Sequence, residues 1–260
     1  MESDGAEFFR RPGIATALYD VLFEAPSIAG DTAYYDAACE PLGPRILEAA
    51  CGTGRIARRL ARPNRRLVAF DASPVLLARF RRALLRVPAP GPVAITDGRL
   101  ERPPAGGPFD AVILGYYGLA YVLDAAAREA GLAALLHQLR PGGQLHLHLP
   151  RHDLLVRDVP AAELAAMAFA SPLPSAPGVT VHQEVEAMQF AGGIRSIGFR
   201  HRVVRDGATL RDERSVMRLA AVPDDEILRL ARRHGARPAG HRAGFRDGVT
   251  SESIHALERV

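Results

Sequence analysis

The stretch Ile46-Leu47-Glu48-Ala49-Ala50-Cys51-Gly52-Thr53-Gly54-Arg55 constrains the fold more than any other part of the chain. Its first residues are apolar, as a buried parallel strand requires, and they run into one acidic residue and then small ones. Gly52 and Gly54 predict a tight turn, and Ile56, Ala57 and Leu60 begin an amphipathic helix. Strand, glycine turn and helix make up the mononucleotide-binding half of a doubly wound fold. Glycines let the backbone approach a ligand without a Cβ in the way, and the open amides of the new helix point at whatever sits there. The run Gly52-Thr53-Gly54-Arg55-Ile56-Ala57 also fits a dinucleotide fingerprint, with Asp71 at nearly the right distance. Glu48 argues against that reading, because a carboxylate at the strand end suits a cationic ligand better than a pyrophosphate.

The chain continues as alternating strands and helices. Leu67-Val68-Ala69-Phe70 is a second buried strand ending at Asp71, where a carboxylate on the crevice side can accept both ribose hydroxyls. Pro74 opens the next helix, with Leu76, Phe80 and Leu84 on one face. Residues 93–96 are a third strand, followed by Asp97-Gly98, a common turn pair. A fourth strand, 109–114, runs into Gly115-Tyr116-Tyr117-Gly118. A helix from about Asp124 buries Leu132, Leu135, Leu136 and Leu139, Arg140-Pro141-Gly142-Gly143 ends it, and 144–149 form a fifth strand.

In this order, the Glu48 and Gly52-x-Gly54 turn, Asp71-Ala72-Ser73, Asp97, Phe109-Asp110 and Leu139-Arg140-Pro141-Gly142-Gly143 resemble the class I S-adenosylmethionine-dependent methyltransferases. The resemblance spans 46–149 and extends more loosely to the C-terminus. It implies that Glu48, Ala50, Gly52, Gly54 and Arg55 hold the amino acid part of the cofactor. Asp71, Ala72 and Leu76 would take the ribose side, Asp97 and Gly98 the adenine, and Leu114 the strand end beside them. Ala50 departs from the pattern, since the family often has glycine there.

The expected fold is α/β, a doubly wound Rossmann-like sheet of seven strands with the seventh antiparallel. Residues 1–43 read as an N-terminal helical lid, with helices at 14–23 and 31–42 and three of the chain's six tyrosines, Tyr19, Tyr34 and Tyr35, as candidate substrate contacts. Residues 44–178 are the cofactor-binding core. Residues 179–221 are an insertion: 179–190, 194–205 and 208–220 read as three strands, joined by Ala191-Gly192-Gly193 and by the hairpin pair Asp206-Gly207. Such a small sheet needs a partner surface, so it should cover the substrate pocket or form a homodimer contact. Residues 222–260 return to the core, with strands near 236–243 and 251–258.

Composition narrows the function. The net charge of +4 invites a nucleic-acid reading, yet all 33 basic residues are arginine and no aromatic-interleaved basic strand accompanies them. Met1 to Gly13 is polar and charged, unlike a signal peptide, and no run approaches the ~18–20 apolar residues that span a bilayer. Two cysteines, Cys39 and Cys51, give neither a disulfide framework nor a zinc pattern and suit a reducing cytoplasm. No metal is expected.

Methyl transfer from a sulfonium is an in-line displacement in which the protein mainly aligns the reactants. Tyr116 and Tyr117 at the fourth strand's mouth and His152 just past the fifth are the candidate catalytic side chains, His152 as a base. His146 and His148 share one face of the fifth strand and read as structural. The expected activity is methylation of an N, O or C atom of a small metabolite in natural product biosynthesis. The competing readings are a nucleic-acid methyltransferase using the Arg-rich helices, and an S-adenosylmethionine-binding protein without methyl transfer.

Overall fold

A computed structural model describes residue 5 and residues 7–22, 28–173, 176–248 and 250–260. Eleven strands among them form two sheets. The larger contains β1 (Arg45–Ala49), β2 (Arg66–Asp71), β3 (Val93–Asp97), β4 (Phe109–Leu114) and β5 (Leu139–Pro150), and it also takes up the last two strands of the chain. The smaller holds β6 (Phe169–Pro172), β7 (Val179–Ala191), β8 (Ile194–Arg205) and β9 (Ala208–Ala220). The last two strands, β10 (Ala236–Arg242) and β11 (Glu252–Arg259), complete the order β10-β11-β5-β4-β1-β2-β3. β1 to β5 pair in parallel, and β11 runs antiparallel to both β5 and β10. The expected seven-stranded sheet with one reversed strand is therefore present.

The helices are α1 (Ile14–Ala17), α2 (Tyr19–Leu22), α3 (Asp31–Cys39), α4 (Arg55–Leu60), α5 (Pro74–Arg86), α6 (Ala125–His137), α7 (His152–Val156), α8 (Ala161–Ala166) and α9 (Asp224–Arg233). Strand alternation sorts the core into two layers. Leu47, Ala49, Val112, Leu114, Leu145 and Leu147 face a layer with Leu132, Leu135 and Leu136 of α6 and Ile227 and Leu230 of α9. Ile46, Ala111 and Ile113 face the other, with Tyr35 and Cys39 of α3, Ile56 and Leu60 of α4, and Phe80 of α5. β4 is buried at every position, as a central parallel strand must be. α5 starts as its sequence dictates: the Leu76 amide donates to Ser73 Oγ at 3.2 Å and Pro74 occupies the first turn.

Three boundaries differ from the sequence reading. The helix expected over 14–23 breaks at Leu18 into α1 and α2, and its end at Phe23, like Pro26, lies outside the described residues. The Arg140-Pro141-Gly142-Gly143 run does not separate helix from strand but is the first part of β5, with an irregularity opposite Phe109 and Ala111. The meander gains a fourth strand, because β6 pairs antiparallel with β7. Its short apolar run with a proline gave no alternation to read. The three longer strands and both turns fall where they were expected: Gly192, Gly193, Asp206 and Gly207 all adopt positive φ.

The meander packs through one end. Val181, Ile197, Phe199, Met217 and Leu219 join the first core layer, and the Tyr121 hydroxyl donates to Met217 Sδ at 3.3 Å. Arg195, 1% exposed, donates from Nε to the Leu155 carbonyl at 2.7 Å and from its other end to the Arg157 carbonyl. Those carbonyls close α7, so a strand of the small sheet caps a helix of the large one.

Candidate functional site

The carboxyl ends of β1, β2 and β4 open onto two adjoining cavities that share Tyr19, Ala50, Gly115 and Tyr116. One wall comes from the N-terminal segment: Phe9, Arg10 and Tyr19 in one cavity, Tyr19 and Ile28 in the other. Ligands of open α/β sheets sit at this position.

The turn after β1 is built from unusual backbone. Ala50, Gly52 and Gly54 have φ of 52°, 56° and 75°. Gly54 caps α4, and a Cβ there would lie 2.2 Å from the Phe80 ring, so both conformation and space demand glycine. Ala50 adopts the left-handed region with a Cβ, at a cost of about 1 kcal/mol. The turn forms without the glycine at this position, and the strain is the price.

Glu48 points into the second cavity although it is only 3% exposed. Its Oε2 has no hydrogen-bond partner among the described residues. Burial pushes its pKa up to about 8, against the Arg55 charge and the Ala57 amide, which favour the carboxylate. A buried carboxyl oxygen left open toward a cavity is a place for a cationic or N–H-bearing ligand. Arg55 lines the same cavity and is held by a bidentate pair with Asp31, at 2.8 and 2.5 Å.

Asp71 lines the first cavity with Ala72, Leu76 and Gly98. Its Oδ2 accepts the Gly52 amide at 2.7 Å and its Oδ1 the Ser73 amide at 2.7 Å. Burial raises its pKa and these amides oppose the rise. The carboxylate thus braces the glycine turn and the start of α5 together. Asp97 lies exposed at the end of edge strand β3 and lines neither cavity. Leu114 is fully buried beneath Gly118, whose Cβ would lie 2.4 Å from its Cδ1.

Beyond β4 the chain doubles back through Tyr116 and Tyr117, with φ of 43° and 64°. Their rings stack at 5.1 Å but serve different neighbours. Tyr116 lines both cavities, and burial lifts its pKa and that of Tyr19, so both remain neutral phenols. Tyr117 turns away and donates to Glu252 Oε2 at 2.7 Å. His148 joins the same oxygen through Nε2 at 2.8 Å, while its Nδ1 accepts the Tyr116 amide at 3.1 Å. That amide fixes the tautomer, with the proton on Nε2 directed at Glu252. A chain of buried hydrogen bonds therefore holds the strained tyrosine pair from behind. The sequence reading placed His148 among structural residues and did not single out Glu252. The only signal for either was the shared face of His146 and His148.

The remaining candidates lie apart from the cavities. His152 heads α7 and lines neither. Tyr34 and Tyr35 sit on α3 over the second core layer, packed on Phe245, with the Tyr34 hydroxyl 3.2 Å from His146 Nδ1 and Tyr35 fully buried. Burial drops the His146 pKa to about 4, leaving a neutral imidazole. Of the three tyrosines expected at the substrate, only Tyr19 borders the cavities.

Residues 46–143 match the family described as a methyltransferase domain. Solved structures share the fold over nearly the whole chain. One is an S-adenosylmethionine-dependent methyltransferase from Clostridium acetobutylicum (16% identity, 94% of this chain and 97% of that one, TM-score 0.73). Another is CalS10, an amino pentose methyltransferase of calicheamicin biosynthesis from Micromonospora echinaspora (20%, 96% and 98%, TM-score 0.70). A third is the sugar N-methyltransferase KedS8 from a Streptoalloteichus species (17%, 96% and 94%, TM-score 0.73). At these identities the likeness speaks for the fold. No curated protein matches the sequence.

Proposed function

From the methyltransferase domain matched over residues 46–143, we propose that this chain is a class I S-adenosylmethionine-dependent methyltransferase and that it methylates an amine nitrogen of a small metabolite. The observation that carries the reading is the composition of the cavity walls. Among the described residues they hold neutral phenols, the carboxyl groups of Glu48, Asp71 and Glu101 and the guanidinium groups of Arg10, Arg55 and Arg99, and no imidazole. A neutral amine brings its own lone pair, so alignment is the main requirement, whereas a hydroxyl acceptor calls for a base.

When bound, S-adenosylmethionine supplies an electrophilic sulfonium methyl. The residues present fit it: Glu48 offers its open carboxyl oxygen to the ammonium group, Ala50, Cys51 and Thr53 of the glycine turn line the cavity beside it, and Asp71 faces the ribose side. Asp97, Gly98 and Leu114 remain the candidates for the adenine end, of which Gly98 borders the cavity. Tyr116 and Tyr19 stand where the two cavities join and would orient the acceptor, with Tyr117, His148 and Glu252 holding Tyr116 in place. The N-terminal segment excludes water as a lid. The activities of CalS10, an amino pentose methyltransferase, of the sugar N-methyltransferase KedS8 and of the glycopeptide N-methyltransferase MtfA support an amine on a sugar or a related natural product.

The arginines do not favour a nucleic-acid substrate. On the meander Arg200 pairs with Asp212, Arg202 with Glu184 and Arg214 with Glu186, so alternating charges neutralise one another. Methyl transfer to a panel of amino sugars and their hydroxyl counterparts tests the reading. Turnover confined to the amines is the expected result. Turnover on hydroxyl acceptors alone, or on oligonucleotides with a steep loss in salt, would overturn it.

A further inference from the structure

At the far edge of the large sheet, β10 and β11 set His241 and His255 directly opposite each other. Cross-strand partners share a face, and the two rings lie 4.8 Å apart between centroids. α9 begins beside them with Asp224. His255 Nε2 is 2.9 Å from Asp224 Oδ1, and His241 Nε2 is 3.7 Å from Asp224 Oδ2. One donor atom from each of the three residues lies within 4.8 Å of the other two. Ser253 Oγ sits among them, 2.7 Å from Asp224 Oδ1 and 3.0 Å from each Nε2.

We propose that Asp224, His241 and His255 form a binding site for a single late first-row divalent cation, Zn2+ foremost. Two imidazole nitrogens and one carboxylate oxygen make a borderline donor set that suits this ion better than Mg2+ or Ca2+, which take oxygen ligands. Three protein ligands leave a fourth position for water. His255 is 2% exposed and fixes one ligand rigidly, while His241 and Asp224, at 50% and 49%, leave a path of entry from solvent. Without metal the same atoms form a closed hydrogen-bond circuit: His241 donates to Ser253, and both Ser253 and His255 donate to Asp224. Metal binding turns each imidazole so that Nε2 presents its lone pair and the proton moves to Nδ1. Arg151 lies within electrostatic reach of Asp224 but is chelated by Asp153 at 2.9 and 2.5 Å. The three ligands come from the successive elements α9, β10 and β11, and no short ligand spacing announces them. An ion here ties α9 to the terminal hairpin, on the strand that also carries Glu252.

Titration of the full chain with Co2+, followed by its visible d–d absorption and by displacement with Zn2+, tests the site. One equivalent should give an absorption band, and Zn2+ should abolish it. His241→Ala, at a half-exposed position, should weaken binding by at least about 100-fold, above the ~10–100-fold that an outer partner costs. It should still bind S-adenosylhomocysteine as the parent does, which shows that it is folded. Ser253→Ala removes an outer partner of Asp224 but no ligand, and should weaken Co2+ binding by no more than about 10–100-fold, less than His241→Ala does. Absence of the band in the parent protein would overturn the proposal. So would a band that survives both His241→Ala and Asp224→Asn, since the ion would then sit elsewhere.

Discussion

The two halves of the proposed methyl-transfer site are made in different ways. The half under Glu48 and Asp71 comes from one continuous stretch, in which strand, glycine turn and helix follow one another and each residue's partner lies within a few dozen positions. The half around Tyr116 is assembled from Tyr19, Tyr116, Tyr117, His148 and Glu252, on α2, the loop after β4, β5 and β11. Local backbone geometry governs the first. Long-range buried hydrogen bonds govern the second. Damage to the first should register in cofactor affinity, and damage to the second in acceptor turnover.

The largest effect should come from Gly54→Ala. A left-handed residue with a Cβ pressed on Phe80 combines backbone strain with overpacking, about 2–6 kcal/mol together. Denaturant unfolding should show the loss, and S-adenosylhomocysteine should no longer shift the midpoint. A variant with parental stability would mean that the turn is soft and the contrast with the other half is false.

Glu252→Gln should be milder and fall on the other side. It removes the charge that accepts from His148 and Tyr117, worth about 1–3 kcal/mol. Turnover should drop about 10–100-fold while S-adenosylhomocysteine affinity, read by calorimetry, stays within a few-fold. Equal losses in both would merge the two halves into one unit.

Acidity offers a subtler test. Burial holds Glu48 at about 8 in the folded protein, above its ordinary value of 4.5. A folded protein that keeps a proton which the unfolded chain has lost becomes less stable as pH rises between those values. Conversely, a cationic ligand prefers the carboxylate, so S-adenosylhomocysteine affinity should rise from pH 6 to 8, by up to about 1.4 kcal/mol per unit. Glu48→Gln should flatten both slopes. The smallest effect is expected of Ala50→Gly: relief of the left-handed strain offsets the added freedom of the unfolded chain, for a net change within about 1 kcal/mol in thermal unfolding.

The same division governed what could be read beforehand. The glycine turn, Asp71, the Asp206-Gly207 hairpin and the order of alternating elements are local patterns, and they predicted the seven-stranded sheet and the long strands of the meander. The acceptor side depended on where β11 inserts. Ser251-Glu252-Ser253 looks like a polar strand start until β11 lies against β5 and brings Glu252 under His148. His152 lies just past the fifth strand, where crevice residues collect, yet it begins α7 and lines neither cavity. The tyrosines of the N-terminal segment suggest a lid with Tyr34 and Tyr35 as substrate contacts, yet α3 turns both onto the sheet's other layer.

The fastenings of the N-terminal segment set a limit on traffic. Asp20 accepts from Thr53 at 2.5 Å and pairs with Arg79 at 2.9 Å, and Asp31 grips Arg55. Thr53 and Arg55 line the cavity proposed for the cofactor, so its wall and floor are joined by polar latches and not by apolar packing alone. Exchange of a molecule held between them is expected to break those contacts. Arg55 and Arg79 are each partly open to solvent, which leaves their pairs within reach of screening ions. The residence time of product, more than the rate of the chemical step, should therefore answer to ionic strength.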